Sequence, residues 1–98
     1  MKINIINESD SLTVELEGRL DTITAPQLEA ELQGKLTGIT NLVFDFKNLA
    51  YISSAGLRIL LSSQKVMNKQ GSMVIKNACQ DVKDVFDVTG FCDILTIE

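Results

Sequence analysis

Two adjacent serines followed by an alanine and a glycine, in the stretch Ser53–Leu57, are the residues of this chain best suited to chemistry. The stretch follows an apolar run, Leu42–Phe46, and precedes residues with helical spacing. N–H groups in the first turn of a helix lack acceptors within the helix, and the helix dipole adds about half a positive charge there. A phosphate added to Ser54 would suit this end. The alternative is a capping serine at Ser53 or Ser54, which contributes about 1 kcal/mol.

Catalysis by either serine is disfavoured by the rest of the sequence. A hydroxyl nucleophile needs an adjacent base, and the chain has no histidine. The Gly-x-Ser-x-Gly motif is not matched, because Ile52 stands where its first glycine should be, and no Walker A sequence is present. A phospho-accepting Asp45 is disfavoured too, because the first strands lack an acidic pair to hold magnesium. We therefore expect no enzyme, no catalytic residue, no cofactor and no metal site.

The size and composition of the chain fit one small α/β domain. Its 98 residues can build one core but not two, so we expect a single domain over residues 1–98. Apolar residues make up 45% of the chain, with no tryptophan, which suits a sheet of aliphatic residues covered by helices. Cys79 and Cys92 lack Cys-x-x-Cys spacing, and we expect both to be reduced packing residues.

Charge and hydropathy exclude two classes of partner. The net charge is −4 and the lysines are scattered, which argues against direct binding of nucleic acid. No apolar run approaches the ~20 residues of a membrane span, and the N-terminal residues alternate in polarity instead of forming a signal peptide. We expect a cytoplasmic protein without membrane insertion.

Hydrophobic periodicity predicts a mixed sheet of about four to five strands with about three to four helices. Alternation predicts a hairpin with a turn over residues 7–10, and the apolar run Leu42–Phe46 predicts a strand covered on both faces. Residues 73–75 and 94–97 predict two further strands. Thr24–Gln27 matches a capping box, so a helix should begin there and end at Gly38. A second helix follows the serines, and a third is stopped by Gly90.

Three stretches make the chain resemble the STAS domain, and most closely the free-standing anti-sigma factor antagonists of bacteria: Leu16–Ala25, Leu42–Leu49 and Tyr51–Arg58. A weaker stretch, Val85–Phe91, is similar to the last helix of that family. The resemblance implies that a partner kinase phosphorylates the serine two residues before the glycine of the Gly-Leu pair, which is Ser54 here. Many members have aspartate just before it, whereas this chain has Ser53, which is therefore the second candidate acceptor.

The resemblance also implies a partner-binding surface around the serines. Asp21 would shape this surface, or alternatively bond the amides of its own loop in an Asx turn. Gly56 would allow close approach of a kinase backbone, or alternatively tight packing inside the domain. Ile59 and Val66 would form the apolar centre of a docking patch, or alternatively belong to a solvated helix side. The predicted partner-binding residues are Asp21, Thr22, Ser53, Ser54, Ala55, Gly56, Arg58, Ile59 and Ser62.

The function implied by the resemblance is that of a phosphorylation-switched binding protein. Unmodified, it would bind an anti-sigma factor serine kinase, release the sigma factor and so regulate transcription. A metal-dependent serine phosphatase would reset the switch. The alternative is a scaffold or accessory STAS module of a stress-signalling complex or a lipid transporter, without a phosphorylation cycle.

Overall fold

Four strands form one mixed sheet in the order β1-β2-β3-β4. β1 and β2 are an antiparallel hairpin, whereas β3 runs parallel to both β2 and β4. This confirms the predicted mixed sheet. The computed structural model describes residues 1–98, and its strands are β1 (Lys2–Glu8), β2 (Ser11–Leu20), β3 (Asn41–Ile52) and β4 (Ser72–Lys76).

Each strand from β2 onward is followed by a helix: α1 (Ala25–Leu32), α2 (Ser54–Met67) and α3 (Gln80–Thr89). A short 3₁₀ turn, Phe91–Asp93, follows α3. None of these helices has the length and apolar character needed to cross a bilayer. As predicted, α3 ends at Gly90, whose φ of +79° is the left-handed conformation that closes many helices.

Two predicted element boundaries are wrong. α1 ends at Leu32 and not at Gly38, because the chain turns at Gly34 with a φ of +78°. Leu36 still packs against the core although it lies beyond the helix. Its helical spacing from Leu28 and Leu32 therefore reflects burial and does not extend α1. The predicted strand over residues 94–97 is reduced to a single bridge between Ile75 and Ile97.

The core lies on one face of the sheet. The connections from β2 to β3 and from β3 to β4 each join parallel strands through a helix, and such connections are right-handed. Both connections move across the sheet in the same direction, so α1 and α2 cover the same face. Phe44 and Phe46 of β3 are fully buried there. Val43 and Asp45, which alternate with them, are partly exposed. The prediction that β3 is covered on both faces is therefore wrong.

Both cysteines depart from their predicted place in the core. Cys79 and Cys92 are free thiols, as expected, but both are exposed. Cys79 directly precedes α3 as its N-cap residue, and Cys92 lies in the 3₁₀ turn. Apolar packing at the end of the chain comes instead from Val82, Phe86 and Leu95.

Among the glycines, Gly71 is the one whose backbone lies closest to another segment. A Cβ built on Gly71 would lie 1.9 Å from the carbonyl oxygen of Thr40, which accepts a hydrogen bond from the N–H of Ser72 at 2.9 Å. We predict that Gly71→Ala lowers the free energy of unfolding by about 3 kcal/mol or more, because the backbone must move. Chemical denaturation measures this.

Gly38→Ala is the matched control for that substitution. No atom lies within 4 Å of its built Cβ, so only its φ of +80° resists alanine. We expect a loss of about 1 to 2 kcal/mol. Equal losses for the two variants would contradict the assigned close contact at Gly71.

Candidate functional site

The candidate site lies where β2 and β3 end side by side. The turn after β2 leads into α1, and the loop after β3 leads into α2. The N–H of Ser53 donates to the carbonyl of Leu20 at 2.8 Å, which ties the two connections together. Carboxyl ends of parallel strands are a common place for binding sites in α/β folds. The serines and the turn containing Asp21 therefore lie at one end of the sheet, as the resemblance implies.

The two serines have different environments. Ser53 is the N-cap residue in extended conformation, and its carbonyl accepts the N–H of Leu57 at 3.0 Å. Its Oγ is buried and has no hydrogen-bond partner. Ser54 is the first residue of α2 and is exposed. Neither hydroxyl caps the helix, since α2 has no side-chain cap hydrogen bond. Capping therefore does not explain this pair of serines.

Asp21 organises the turn between β2 and α1. Its Oδ1 accepts hydrogen bonds from the N–H groups of Ile23 and Thr24, both at 3.0 Å, which is an Asx turn. The hydrogen bond from the Thr24 N–H is the main reason that the pKa of Asp21 falls below its ordinary value of 3.8. The guanidinium of Arg19, 3.9 Å from Oδ2, acts in the same direction. The turn is thus held by an ionised carboxylate.

The predicted capping box at the start of α1 is wrong. The hydroxyl of Thr24 donates to the carbonyl of Arg19 at 2.7 Å and accepts from the N–H of Asp21 at 2.9 Å. It makes no cap hydrogen bond to the helix. Thr24 therefore stabilises the turn in front of α1 instead of the first turn of α1 itself.

A cation–π pair that the sequence reasoning missed lies beside this turn. The guanidinium carbon of Arg19 is 4.2 Å from the ring centroid of Tyr51, and the two residues are register partners on β2 and β3. A signal in the sequence could have found it, because Arg19 and Tyr51 each directly precede the last apolar residue of their strand, Leu20 or Ile52. Both side chains must then lie on the same, uncovered face.

Gly56 brings α2 close to the sheet. A Cβ built on it would lie 2.7 Å from Cγ of Leu20 and 2.8 Å from Cγ1 of Ile52. This geometry supports the alternative of packing within the domain. Gly56 is buried and offers no surface of its own to a partner, which corrects its predicted place in a binding surface.

A groove of about 710 Å³ separates α1 from α2 and begins near the serines. Ile59 was predicted to be the apolar centre of an exposed patch. It is only 7% exposed and lines the groove. Val66 at 40% and Arg58 are exposed. The predicted partner-binding residues that line the groove are Thr22, Ala55, Arg58, Ile59 and Ser62, whereas Asp21, Ser53 and Ser54 are not among its lining residues.

We predict that Asp21→Asn removes a pH dependence of stability. A carboxylate whose pKa is lower in the folded state stabilises the fold above its unfolded pKa, and this contribution is lost as the pH falls through the folded value. Asparagine keeps the Oδ1 acceptor without the charge. In urea unfolding, the stability difference between wild type and variant should be largest at neutral pH and shrink below pH 3.8. A difference independent of pH would contradict the ionised turn.

Comparison with known proteins agrees with this architecture. A model of the STAS domain matches residues 2–98. BtrV of Bordetella bronchiseptica, described as an anti-sigma factor antagonist, is 35% identical over 99 residues, covering 99% of this chain and 85% of BtrV. The anti-sigma-B factor antagonist of Bacillus subtilis is 32% identical over 101 residues, covering 99% of this chain and 92% of the relative.

Solved structures share the fold at lower identity. An anti-sigma factor antagonist from Mycobacterium paratuberculosis superposes with a TM-score of 0.88 at 20% identity, covering 98% of this chain and 83% of that one. The Bacillus cell fate determinant SpoIIAA in its phosphorylated form superposes with a TM-score of 0.75 at 17% identity, covering 99% and 91%. Since the family model spans nearly the whole chain and both relatives exceed 30% identity, this protein belongs to the STAS domain family.

Proposed function

We propose that this protein is an anti-sigma factor antagonist controlled by phosphorylation of Ser54. In its unmodified form it binds an anti-sigma factor that is a serine kinase, which frees the sigma factor for transcription in the cytoplasm. The kinase supplies the ATP and the catalytic groups, and this chain supplies the acceptor hydroxyl. The observation that carries the proposal is the exposed Ser54 at the start of α2, in a chain whose relatives are described as antagonists.

The environment of the two hydroxyls supports Ser54 as the acceptor. A kinase must bring the γ-phosphate in line with the attacking oxygen. The Oγ of Ser53 is buried, so it would have to become exposed first, whereas Ser54 is exposed at the start of α2. Ser53 is therefore the less suitable acceptor.

A phosphate on Ser54 would act through charge and hydration at the contact surface. It adds about −1.5 to −2 charge at neutral pH, to a chain whose net charge is −4. The N-terminus of α2 stabilises an anion, so the modification need not disturb the fold. SpoIIAA, which shares this fold, has been solved in a phosphorylated form, and this supports the same view.

Arg58 gives the proposed switch a second component. It lies four residues after Ser54 on α2, and residues at this spacing are neighbours on a helix surface. Arg58 also lines the groove between α1 and α2, where an acidic group of a partner could pair with it. A phosphate on Ser54, one helical turn away, would compete with that acidic group for the guanidinium of Arg58. Modification would thus add a repelling charge and also withdraw an attractive one.

A cognate phosphatase would complete the cycle by hydrolysing the phosphoserine. We propose a metal-dependent serine phosphatase, whose metal ions belong to the phosphatase. Within this chain no three His, Cys, Asp or Glu side chains come together as a group that could hold a metal ion.

Incubation with ATP and the candidate anti-sigma kinases of the same genome tests the acceptor. We expect mass spectrometry to find one phosphate on Ser54, absent from Ser54→Ala and retained by Ser53→Ala. Phosphate on Ser53 in the wild type would overturn the assignment. Binding to a kinase without any modification would overturn the switch and favour a scaffold role.

Binding of the unmodified protein to the kinase tests the electrostatic mechanism. We expect Ser54→Asp to weaken binding at least about tenfold, which corresponds to about 1.4 kcal/mol. Ser54→Asn has the same size without the charge and should stay within about threefold of wild type. Isothermal titration calorimetry measures both. Equal weakening by the two variants would mean that shape, and not charge, decides binding.

A further inference from the structure

β1 is an outer strand of the sheet with one side unpaired. Its inner side pairs with β2 over all seven residues, with no register shift. The opposite edge of the sheet is different, because residues at the end of the chain partly cover β4. There the N–H of Ile75 donates to Thr96 at 2.9 Å, and the N–H of Glu98 donates to Ile75 at 2.8 Å. The free edge of the sheet is therefore that of β1.

The hairpin turn decides which backbone groups of β1 face outward. Glu8 and Ser11 flank a two-residue turn, in which Ser9 has a φ of +59°. Residues flanking such a turn form a hydrogen-bonded pair, and hydrogen-bonded pairs alternate with non-bonded pairs along an antiparallel ladder. The backbone groups of the even-numbered residues of β1 thus face β2. Those of Ile3, Ile5 and Asn7 face outward without partners.

We propose that β1 pairs with β1 of a second copy of this chain, antiparallel and centred on Ile5, so that two four-stranded sheets become one continuous sheet. Only outward-facing residues can exchange hydrogen bonds across the two-fold axis. Centring on Ile5 satisfies this condition, because Ile5 faces Ile5 of the partner copy and Ile3 faces Asn7. It is also the register in which all seven residues of β1 are paired.

Charge complementarity selects the same register. With Ile5 at the centre, Lys2 of each copy lies opposite Glu8 of the other, at both ends of the paired strands. Both side chains are exposed in the single chain. Opposite charges directly across a ladder stabilise pairing, and like charges oppose it. Slipping the register by two residues would remove both charge pairs.

β1 lacks the usual features that block edge pairing. Natural edge strands are protected by proline, by bulges or by charges that repel a neighbouring copy. β1 contains no proline and no bulge, and its two charges are complementary to their own symmetry mates. Ile6, which is 39% exposed, would gain cover from Asn4 of the other copy on the open face of the sheet.

Self-pairing at β1 goes beyond the proposed switch and does not depend on it. β2 separates β1 from β3, so the loop before α2 and the groove between α1 and α2 lie away from this edge. A dimer would present two copies of Ser54 to kinases. Because a single strand pair forms a small interface, we expect a weak dimer with a dissociation constant of about 1 µM or higher.

Sedimentation velocity of the purified chain from about 1 µM to 1 mM tests the pairing. We expect a concentration-dependent dimer and nothing larger. Glu8→Lys should weaken dimerisation about tenfold or more, because both charge pairs become repulsive. The double variant Lys2→Glu with Glu8→Lys should restore it. Glu31→Lys makes the same change of net charge on the exposed surface of α1 and should leave dimerisation unchanged.

Asn7→Pro tests the backbone contribution. Proline removes an outward N–H without removing a hydrogen bond to β2, so far-UV circular dichroism should stay that of the wild type while the dimer is lost. A monomer at every concentration overturns the proposal. A dimer that neither Glu8→Lys nor Asn7→Pro weakens also overturns it, because association would then use another face.

Discussion

The close contact between the start of α2 and the ends of β2 and β3 is the constraint on which the site depends. Gly56 leaves no room for a Cβ against the side chains of Leu20 and Ile52, so α2 lies closer to the sheet than a larger residue at this position would allow. The hydrogen bond from Ser53 to Leu20 fixes the same junction. Ser54, directly after it, is therefore held in place although it is exposed. For the proposed phosphorylation, a backbone already fixed by the helix lowers the ordering cost of presenting Ser54 to a kinase.

Polar groups in the turn between β2 and α1 are satisfied by neighbouring residues, whereas the Oγ of Ser53 in the loop between β3 and α2 has no hydrogen-bond partner. The turn carrying Asp21 and Thr24 is closed by hydrogen bonds between residues no more than five positions apart. Only Arg19 reaches across, through its contact with Tyr51 on the neighbouring strand. The ionised Asp21 and the positive end of α2 thus lie at the same end of the sheet with opposite electrostatic character.

Local patterns in the sequence were sufficient for most elements, whereas the burial and the hydrogen-bond partners of several side chains did not follow from them. The hairpin, the start of α2 after Ser53 and the end of α3 at Gly90 follow from periodicity and from residues with defined turn preferences. Thr24 has the right spacing for a capping box, yet its hydroxyl bonds Arg19, five residues earlier. Cys79 was expected to be a packing residue because its spacing fits no disulfide or metal motif, although it is exposed at the start of α3. The burial of Gly56 and Ile59 depends on which helix face meets the sheet, and a helical wheel does not define that face to within one residue.

A sheet covered on one side separates the possible contacts of this small domain into distinct surfaces. The helix layer carries the groove and Ser54, while the edge strand β1 offers backbone groups, two charges and the exposed Ile6. The proposed phosphate at Ser54 would change the first surface strongly, since its charge would lie within one helical turn of Arg58. At the β1 edge, beyond β2, the same charge is weakened by distance and by screening over about 8 to 10 Å. If both proposals hold, phosphorylation would alter binding at the helix layer more strongly than pairing at the β1 edge.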